Sequence, residues 1–401
     1  MRRFVRYFRS FHVIAAALFL AVAAAEAQQQ APARAPASKA AAILTWPAAK
    51  REQYIASLDS FFLTRTVKTG PHVHVLGQGR PIAAFETGGA RAAYLDRFMT
   101  AERVRGVLVL HDGRIRLERY VSPHSLTTRW NSFSVSKSIT STLVGAAMKD
   151  GYIHSLDDPV TRYIKELRGS AYDEVTVREL LTMTSGVKWN EDYTDLNSDV
   201  ARMYAQAPDP GFDMTTSYVR KLPREAPPGT KWVYKTSETN LVGVLVADAT
   251  GKHLADYLSE KIWRPYGMER DAEWMIDDVG DEQGGCCLAM TLRDYGRFGQ
   301  FILDGARIDG KRIVPDTWLA KATHTEVPLG GGSGYGYQWW TRDDGTFEAR
   351  GIYGQTLHID PARRLVIVIN SAAERPTDRA SGQARQDFIA AVSAQLDAEK
   401  R

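Results

Sequence analysis

Cysteine is almost absent from this chain: two of 401 residues, side by side at Cys286 and Cys287. That excludes a framework of long-range disulfides. Bridging neighbours distorts the peptide between them, so the two thiols are expected to stay unlinked, as small buried residues near a turn. The nine histidines are scattered and no His-Glu-x-x-His occurs. His72 and His74 could share a strand face, but no acidic or thiol ligands stand near them, and no metal or cofactor is expected. The longest apolar run, Val13–Ala25, is too short to span a bilayer. Charge of one sign is also lacking: the formal net charge is +4, much of it at the extreme N-terminus. Without a basic surplus there is no electrostatic case for nucleic acid as a partner. No internal repeat is visible.

What is present begins with a basic start, Arg2, Arg3, Arg6 and Arg9, followed by the apolar run and a small-x-small site at Ala25-Glu26-Ala27. Residues 1–27 therefore read as an export signal, cut after Ala27. The expected location is periplasmic or secreted, with no membrane attachment after cleavage. The Arg2-Arg3 pair leaves both the general and the twin-arginine routes open, and an uncleaved anchor is the alternative. Residues 28–49, rich in Gln, Ala and Pro, read as a flexible leader. Residues 50–89 read as an N-terminal extension, with a helix near Tyr54–Leu63 and then a short extended piece. The main domain is expected over 90–401, with 44% hydrophobic and 24% charged residues in the whole chain, as in ordinary globular proteins.

Within that domain Ala90–Thr100 reads as a helix. Val104–His111 and Arg114–Val121 flank Asp112-Gly113, a strong hairpin signal. Ser134–Lys149 reads as a buried helix stopped at Gly151. Residues 155–330 look mostly helical, with a capping box at Thr176-x-x-Glu179 and helices over Asn240–Ala249, His253–Ile262, Thr291–Leu303 and Asp316–Ala322. Strands return at Tyr335–Thr341, Thr346–Arg350, Gln355–Ile359 and Arg364–Asn370, before a last helix over Arg385–Ala398. Strands at both ends predict one antiparallel sheet flanked by helices, with a helical subdomain inserted, an α/β (α+β) fold with a ligand cleft between sheet and helices.

Ser134-Val135-Ser136-Lys137 carries the chemistry. On the first turn of a helix, positions three apart share a face, with Cβ atoms roughly 5–6 Å apart. The spacing gives the Ser134 hydroxyl an amine within reach, which a serine nucleophile needs. The bland reading is a helix-capping serine followed by a surface lysine. A second Ser-x-x-Lys, Ser185-Gly186-Val187-Lys188, falls where Ser-Gly predicts a turn and so lacks the shared face.

The segments WNSFSVSKSITSTLVGAAM, LLTMTSGVKWNEDY, PGTKWVYKTSETNLVG, GGCCLAMTLRDYGRFGQ, YGYQWW and RGIYGQTLHIDP follow one another in order. Together they resemble the class C β-lactamase-like and penicillin-binding-protein-like serine hydrolases, most nearly the 6-aminohexanoate-dimer hydrolase branch of carboxylesterases and amidases. The resemblance spans roughly residues 90–395 and implies the β-lactamase/transpeptidase-like fold. It makes Ser134 the nucleophile and Lys137 its partner. The family's Tyr-x-Asn motif falls on Tyr234-Lys235-Thr236, with Thr236 in place of asparagine. The Lys-Thr-Gly strand falls on Ala349-Arg350-Gly351, without the lysine; the literal Lys68-Thr69-Gly70 lies upstream of Ser134 and is taken as coincidence.

The resemblance further implies an acyl-enzyme on Ser134. Lys137 and Tyr234 are expected to share its proton, and Tyr234 to hand it to the leaving group. The oxyanion hole is expected from the backbone N–H groups of Ser134 and Ile352, with Gly351 letting the edge strand approach the substrate. Tyr193 matches a substrate-contacting tyrosine. Arg350 supplies a cation next to the missing lysine, although strand alternation can turn it away from the cleft. Trp130, Trp189, Trp339 and Trp340 are candidates for cleft walls or for core. The favoured reading is hydrolysis of a small ester or amide. A D-amino-acid peptidase or weak β-lactamase of the cell wall, and a non-catalytic binding or regulatory protein on the same scaffold, stay open.

Overall fold

The computed structural model describes residues 34–86 and 90–399. The expected export signal lies outside the described residues. Among the latter, no helix is long and apolar enough to cross a membrane.

Nine strands form the main sheet, in the spatial order 327–330, 333–335, 340–342, 347–351, 355–360, 365–371, 104–111, 114–120 and 77–78. The two ends of the chain meet at its centre, where Val368 pairs with Leu108 and Leu365 with His111. All pairings are antiparallel except the outermost, in which Gly77–Gln78 runs parallel to Arg114–Ile115. The hairpin turns at Asp112-Gly113, both with positive φ.

Strand alternation explains why the sheet is buried on both sides. Val107, Val109, Ile367 and Ile369 face a cluster closed by the helices Ala90–Ala101 and Arg379–Glu399, through Leu95, Phe98, Phe388 and Val392. Leu108, Leu110, Val366 and Val368 face the larger core. There the helix Leu292–Leu303 lies directly on the strands. It can do so because Gly296 and Gly299 present no side chain: a Cβ on Gly299 would stand 2.5 Å from Val366 Cγ1 and 2.8 Å from Leu357 Cδ1.

The sequence between the hairpin and the late strands builds the helical layer as expected. The capping box at Thr176 and Glu179 is formed, and the helices Ser136–Lys149 and Thr236–Thr250 pack against each other. Three expectations need correction. First, residues 155–330 are not mainly helical throughout. Ala272–Met275 and Leu288–Thr291 join Thr64–Val67 and Arg129–Asn131 in a second sheet of four strands. These strands are three or four residues long, too short to print an alternating pattern. Second, the strand expected over Tyr335–Thr341 breaks at Gln338, which takes φ +65° and spends its side-chain amide on the carbonyls of Leu180 and Leu181. Third, the flexible leader is folded from Ala35 onward. Ala37–Thr45 forms a 3-10 helix that buries Ala37, Ala40 and Ile43; alanine is small enough to pack closely here, and low complexity masked that.

The close helix–sheet contact gives a stability test. In Gly299→Val the added carbons have no free volume, and overpacking of this kind costs about 1–3 kcal/mol. The urea midpoint should fall with an unchanged m-value.

Candidate active site

The short strand Arg129–Asn131 delivers the chain to a 3-10 turn, Phe133–Val135, which runs straight into the helix Ser136–Lys149. Ser134 sits in that turn and Lys137 in the first helical turn, so the two project together. Lys137 Nζ lies 3.0 Å from Ser134 Oγ. It also donates to Thr236 Oγ1 at 3.1 Å and to the carbonyl of Gly285 at 2.5 Å. Gly285 is held in turn by its N–H on Asn240 Oδ1, 2.8 Å away, so the helix Thr236–Thr250 fixes two of the three contacts of the amine. A Cβ on Gly285 would stand 3.2 Å from Lys137 Nζ and 2.6 Å from the Thr236 carbonyl.

Lys137 is 1% exposed. Burial disfavours its cation and brings its pKa down to about 7, against a weaker upward pull from Glu191. At neutral pH roughly half of the amine is therefore free base, against well under 1% for an ordinary lysine. Tyr234 stands just before the helix Thr236–Thr250, lines the same space as Ser134 and holds its ring 5.2 Å from Lys137 Nζ. Burial pushes the phenol far above its usual range, and the nearby Ser134 hydroxyl opposes this only in part. Burial thus favours the neutral form of each group, the free amine of Lys137 and the intact phenol of Tyr234.

Glu191 is the residue that the sequence did not single out. Its carboxylate accepts hydrogen bonds from the Trp189 indole, from Tyr193 Oη at 2.5 Å, from the Thr236 amide at 3.0 Å and from the Thr236 hydroxyl. Thr236, where the resemblance has asparagine, accepts from Lys137 and donates to Glu191. The signal for Glu191 was its place beside Trp189 and Tyr193, but nothing local to NEDYTD announces that a loop acid reaches a helix start 45 residues on.

Tyr193 lies 3.4 Å from Thr236 Oγ1 and lines the space next to Ser134. Gly351 ends the strand Phe347–Gly351, where a Cβ would stand 2.5 Å from the Ser132 carbonyl. Its missing side chain lets the strand end close on the nucleophile's turn, and Ile352 lines the space beside Ser134. Arg350, whose direction the alternation left in doubt, does face the cleft; it stacks 5.3 Å from the Trp340 ring and pairs with Glu348 at 2.6 Å. Ala349 is in the core. Of the four tryptophans, Trp340 lines the cleft and stacks on Tyr234. Trp130 and Trp339 are core residues and Trp189 props Glu191.

The second Ser-x-x-Lys is not a second centre. Gly186 takes φ +71° and Lys188 is exposed. Ser185 is bonded instead to the buried pair Lys235–Glu238. Lys68 of the literal Lys-Thr-Gly pairs with Asp271 on the surface. The sulfurs of Cys286 and Cys287 lie side by side. Cys287 takes φ +69°, a left-handed turn that brings its sulfur back towards its neighbour.

A serine, a buried lysine and a tyrosine at the seam between an antiparallel sheet and a helical layer define a serine hydrolase of the Ser-x-x-Lys class. The chain belongs to the Beta-lactamase family, whose sequence pattern matches residues 91–392. It is 29% identical over 343 residues to the 6-aminohexanoate-dimer hydrolase of Paenarthrobacter ureafaciens, covering 79% of this chain and 85% of that protein. Its fold matches that of a candidate 6-aminohexanoate-dimer hydrolase of Bacillus anthracis with a TM-score of 0.76 at 25% identity, over 87% of this chain and 94% of the other. A class C β-lactamase gives 0.56 at 17% identity, over 76% and 94%.

The contact between Glu191 and the lysine through Thr236 sets a sign. The Glu191 charge favours the ammonium. Glu191→Gln removes that pull, so the acid limb of kcat/KM should move below pH 7 while the melting temperature changes little. A limb that stays put or moves up would show that Glu191 does not bear on the lysine.

Proposed function

We propose that this protein is an exported hydrolase of small esters or amides that works through a Ser134 acyl-enzyme. The observation that carries the reading is a buried amine 3.0 Å from the serine oxygen, its pKa brought down to about 7 by loss of water. Neutral Lys137 takes the Ser134 proton as Oγ bonds to the substrate carbonyl carbon. The backbone N–H groups of Ser134 and Ile352 receive the developing oxyanion. Tyr234, held protonated, gives its hydrogen to the departing oxygen or nitrogen as the C–O or C–N bond breaks, and Lys137 returns a proton to the phenol. Water then enters on the same path in reverse and frees the acid. Every proton is carried by these three side chains. Tyr193, which donates to Glu191 and lies 3.4 Å from Thr236 Oγ1, stands where it can meet the leaving group.

Ester or amide cleavage is favoured over β-lactam hydrolysis by what replaces the Lys-Thr-Gly lysine. Ala349 is buried, and the charge of Arg350 is already engaged by Glu348. Against the cost of burial, Arg350 and His358 hold the Glu348 carboxyl well below the usual range. Neither of the two residues at the lysine's place in this strand thus offers an unpaired cation to a β-lactam carboxylate. The basic start and apolar run of residues 2–25 support export.

A fluorophosphonate probe should label the wild type and fail on Ser134→Ala. With a p-nitrophenyl ester, kcat/KM should rise with pH through an apparent pKa near 7, because the ammonium form below it cannot accept a proton. It should show no alkaline fall below about pH 10, since Tyr234 does not ionise there. Chromogenic cephalosporin turnover should be at least 100-fold slower than ester turnover; comparable rates would overturn the substrate reading. Gly351→Ala should cost about 10²-fold in kcat with the fold retained, by pushing the strand end off the Ser132 carbonyl.

A further inference from the structure

Ser134 stands between two spaces of opposite character. One has a cavity volume of ≈ 400 Å³ and is lined by Tyr234, Trp340 and the charged Glu191, Asp192, Arg350 and Arg385, among others. The other is narrow, ≈ 50 Å³, and among the described residues no charged side chain lines it. Its wall is made by Ala40, Ala41, Ile43 and Leu44, facing Phe133 and Ile352. The first four belong to the 3-10 helix Ala37–Thr45, upstream of the residues 91–392 that the family pattern matches.

Tyr234 decides which half of a substrate enters which space. The proton donor must stand beside the departing atom, and Tyr234 lines the open cleft but not the narrow pocket. The alcohol or amine half therefore lies in the cleft, which leaves the narrow pocket for the acyl half. Charge in such a pocket would be desolvated without a partner, and bulk would have nowhere to go.

We propose, resting on the hydrolase reading above, that the segment Ala40–Leu44 is the acyl-specificity wall of this enzyme, and that its substrates carry a short, slender, uncharged aliphatic acyl group. The polar half of the ester or amide is the leaving half. This sets a selection rule that the three reacting side chains do not impose.

The wall is anchored on the nucleophile's own surroundings. Further along the same N-terminal segment, the Tyr54 ring packs edge-on against Phe133, 6.2 Å between centroids. Arg51 lies over the Tyr353 ring at 4.5 Å and bonds the carbonyls of Trp46 and Glu374. The segment is thus fixed relative to Ser134, as a wall that discriminates by size must be.

The test keeps the leaving group constant. p-Nitrophenyl acetate, butanoate, benzoate and the half-ester of succinic acid (uncatalysed hydrolysis subtracted) are compared with the wild type. Butanoate should exceed both benzoate and the succinate half-ester by at least 10-fold in kcat/KM. Ala41→Phe, at a partly exposed position, should cut butanoate at least 10-fold and leave acetate within about threefold. Leu44→Lys should raise the succinate half-ester relative to butanoate at least 10-fold. Equal rates for butanoate and the succinate half-ester, or variants that change acetate and butanoate alike, would overturn the wall while Ser134-dependent turnover kept the hydrolase standing. Absence of turnover on all four esters, with no labelling of Ser134, would overturn the hydrolase reading itself.

Discussion

A lysine amine buried without a directly bonded anion is the constraint on which the rest of the site depends. Water would hold this group protonated at neutral pH; removing water brings its pKa to about 7. A carboxylate in direct contact would undo that by locking the ammonium in place. Glu191 is close enough to orient the amine but bonds to it through the hydroxyl of Thr236. The exchange of asparagine for threonine thus has a physical meaning: the position must accept from the lysine and donate to the acid, and a hydroxyl can do both at one atom. Gly285 is the other half of the arrangement, since its bare Cα lets a carbonyl come within 2.5 Å of the nitrogen.

The oxyanion side is organised by strain rather than by charge. Phe133, just before Ser134, takes φ +43°, and Tyr353, just after Ile352, takes φ +59°. Neither is glycine, and each such residue costs on the order of 1–3 kcal/mol. Their rings meet at 5.4 Å, so the two distorted turns support one another across the site. Tyr54 and Arg51 press on them from the N-terminal segment. The N-terminal extension, upstream of the residues 91–392 that the family pattern matches, therefore bears on the geometry of both proposed oxyanion donors.

Much of this was legible in the sequence, and the boundary has a physical cause. The hairpin, the nucleophile's helix, the capping box and the late strands could be read because each rests on signals within a few residues: a tight-turn pair, a spacing of three or four, a reciprocal cap. Ser134 and Lys137 share that locality. Tyr234, Gly351 and Ile352 were reached through ordered family motifs, and the fold does bring them to Ser134. Glu191 escaped because the partner that ties it to the site, Thr236, is 45 residues away in the chain. The second sheet escaped because its strands are too short for a period to show. The Ala-rich stretch over 37–45 misled because small side chains serve disorder and close packing equally well, and only the partner surface tells which.

Catalysis and selectivity are tied together here by one hydroxyl. On the proposed mechanism Tyr234 stands beside the departing atom, so its place in the charged cleft sets the direction in which a substrate lies across Ser134. The same fact gives the acyl half to the space behind residues 40–44. Within a common fold, then, relatives can keep the serine, lysine and tyrosine unchanged and still differ in the acids they release, by changing a segment that approaches the nucleophile from outside the family pattern. The reacting groups need a fixed mutual geometry, which few sequences satisfy. The wall needs only size and the absence of charge, which many do, so specificity has more freedom to vary than mechanism.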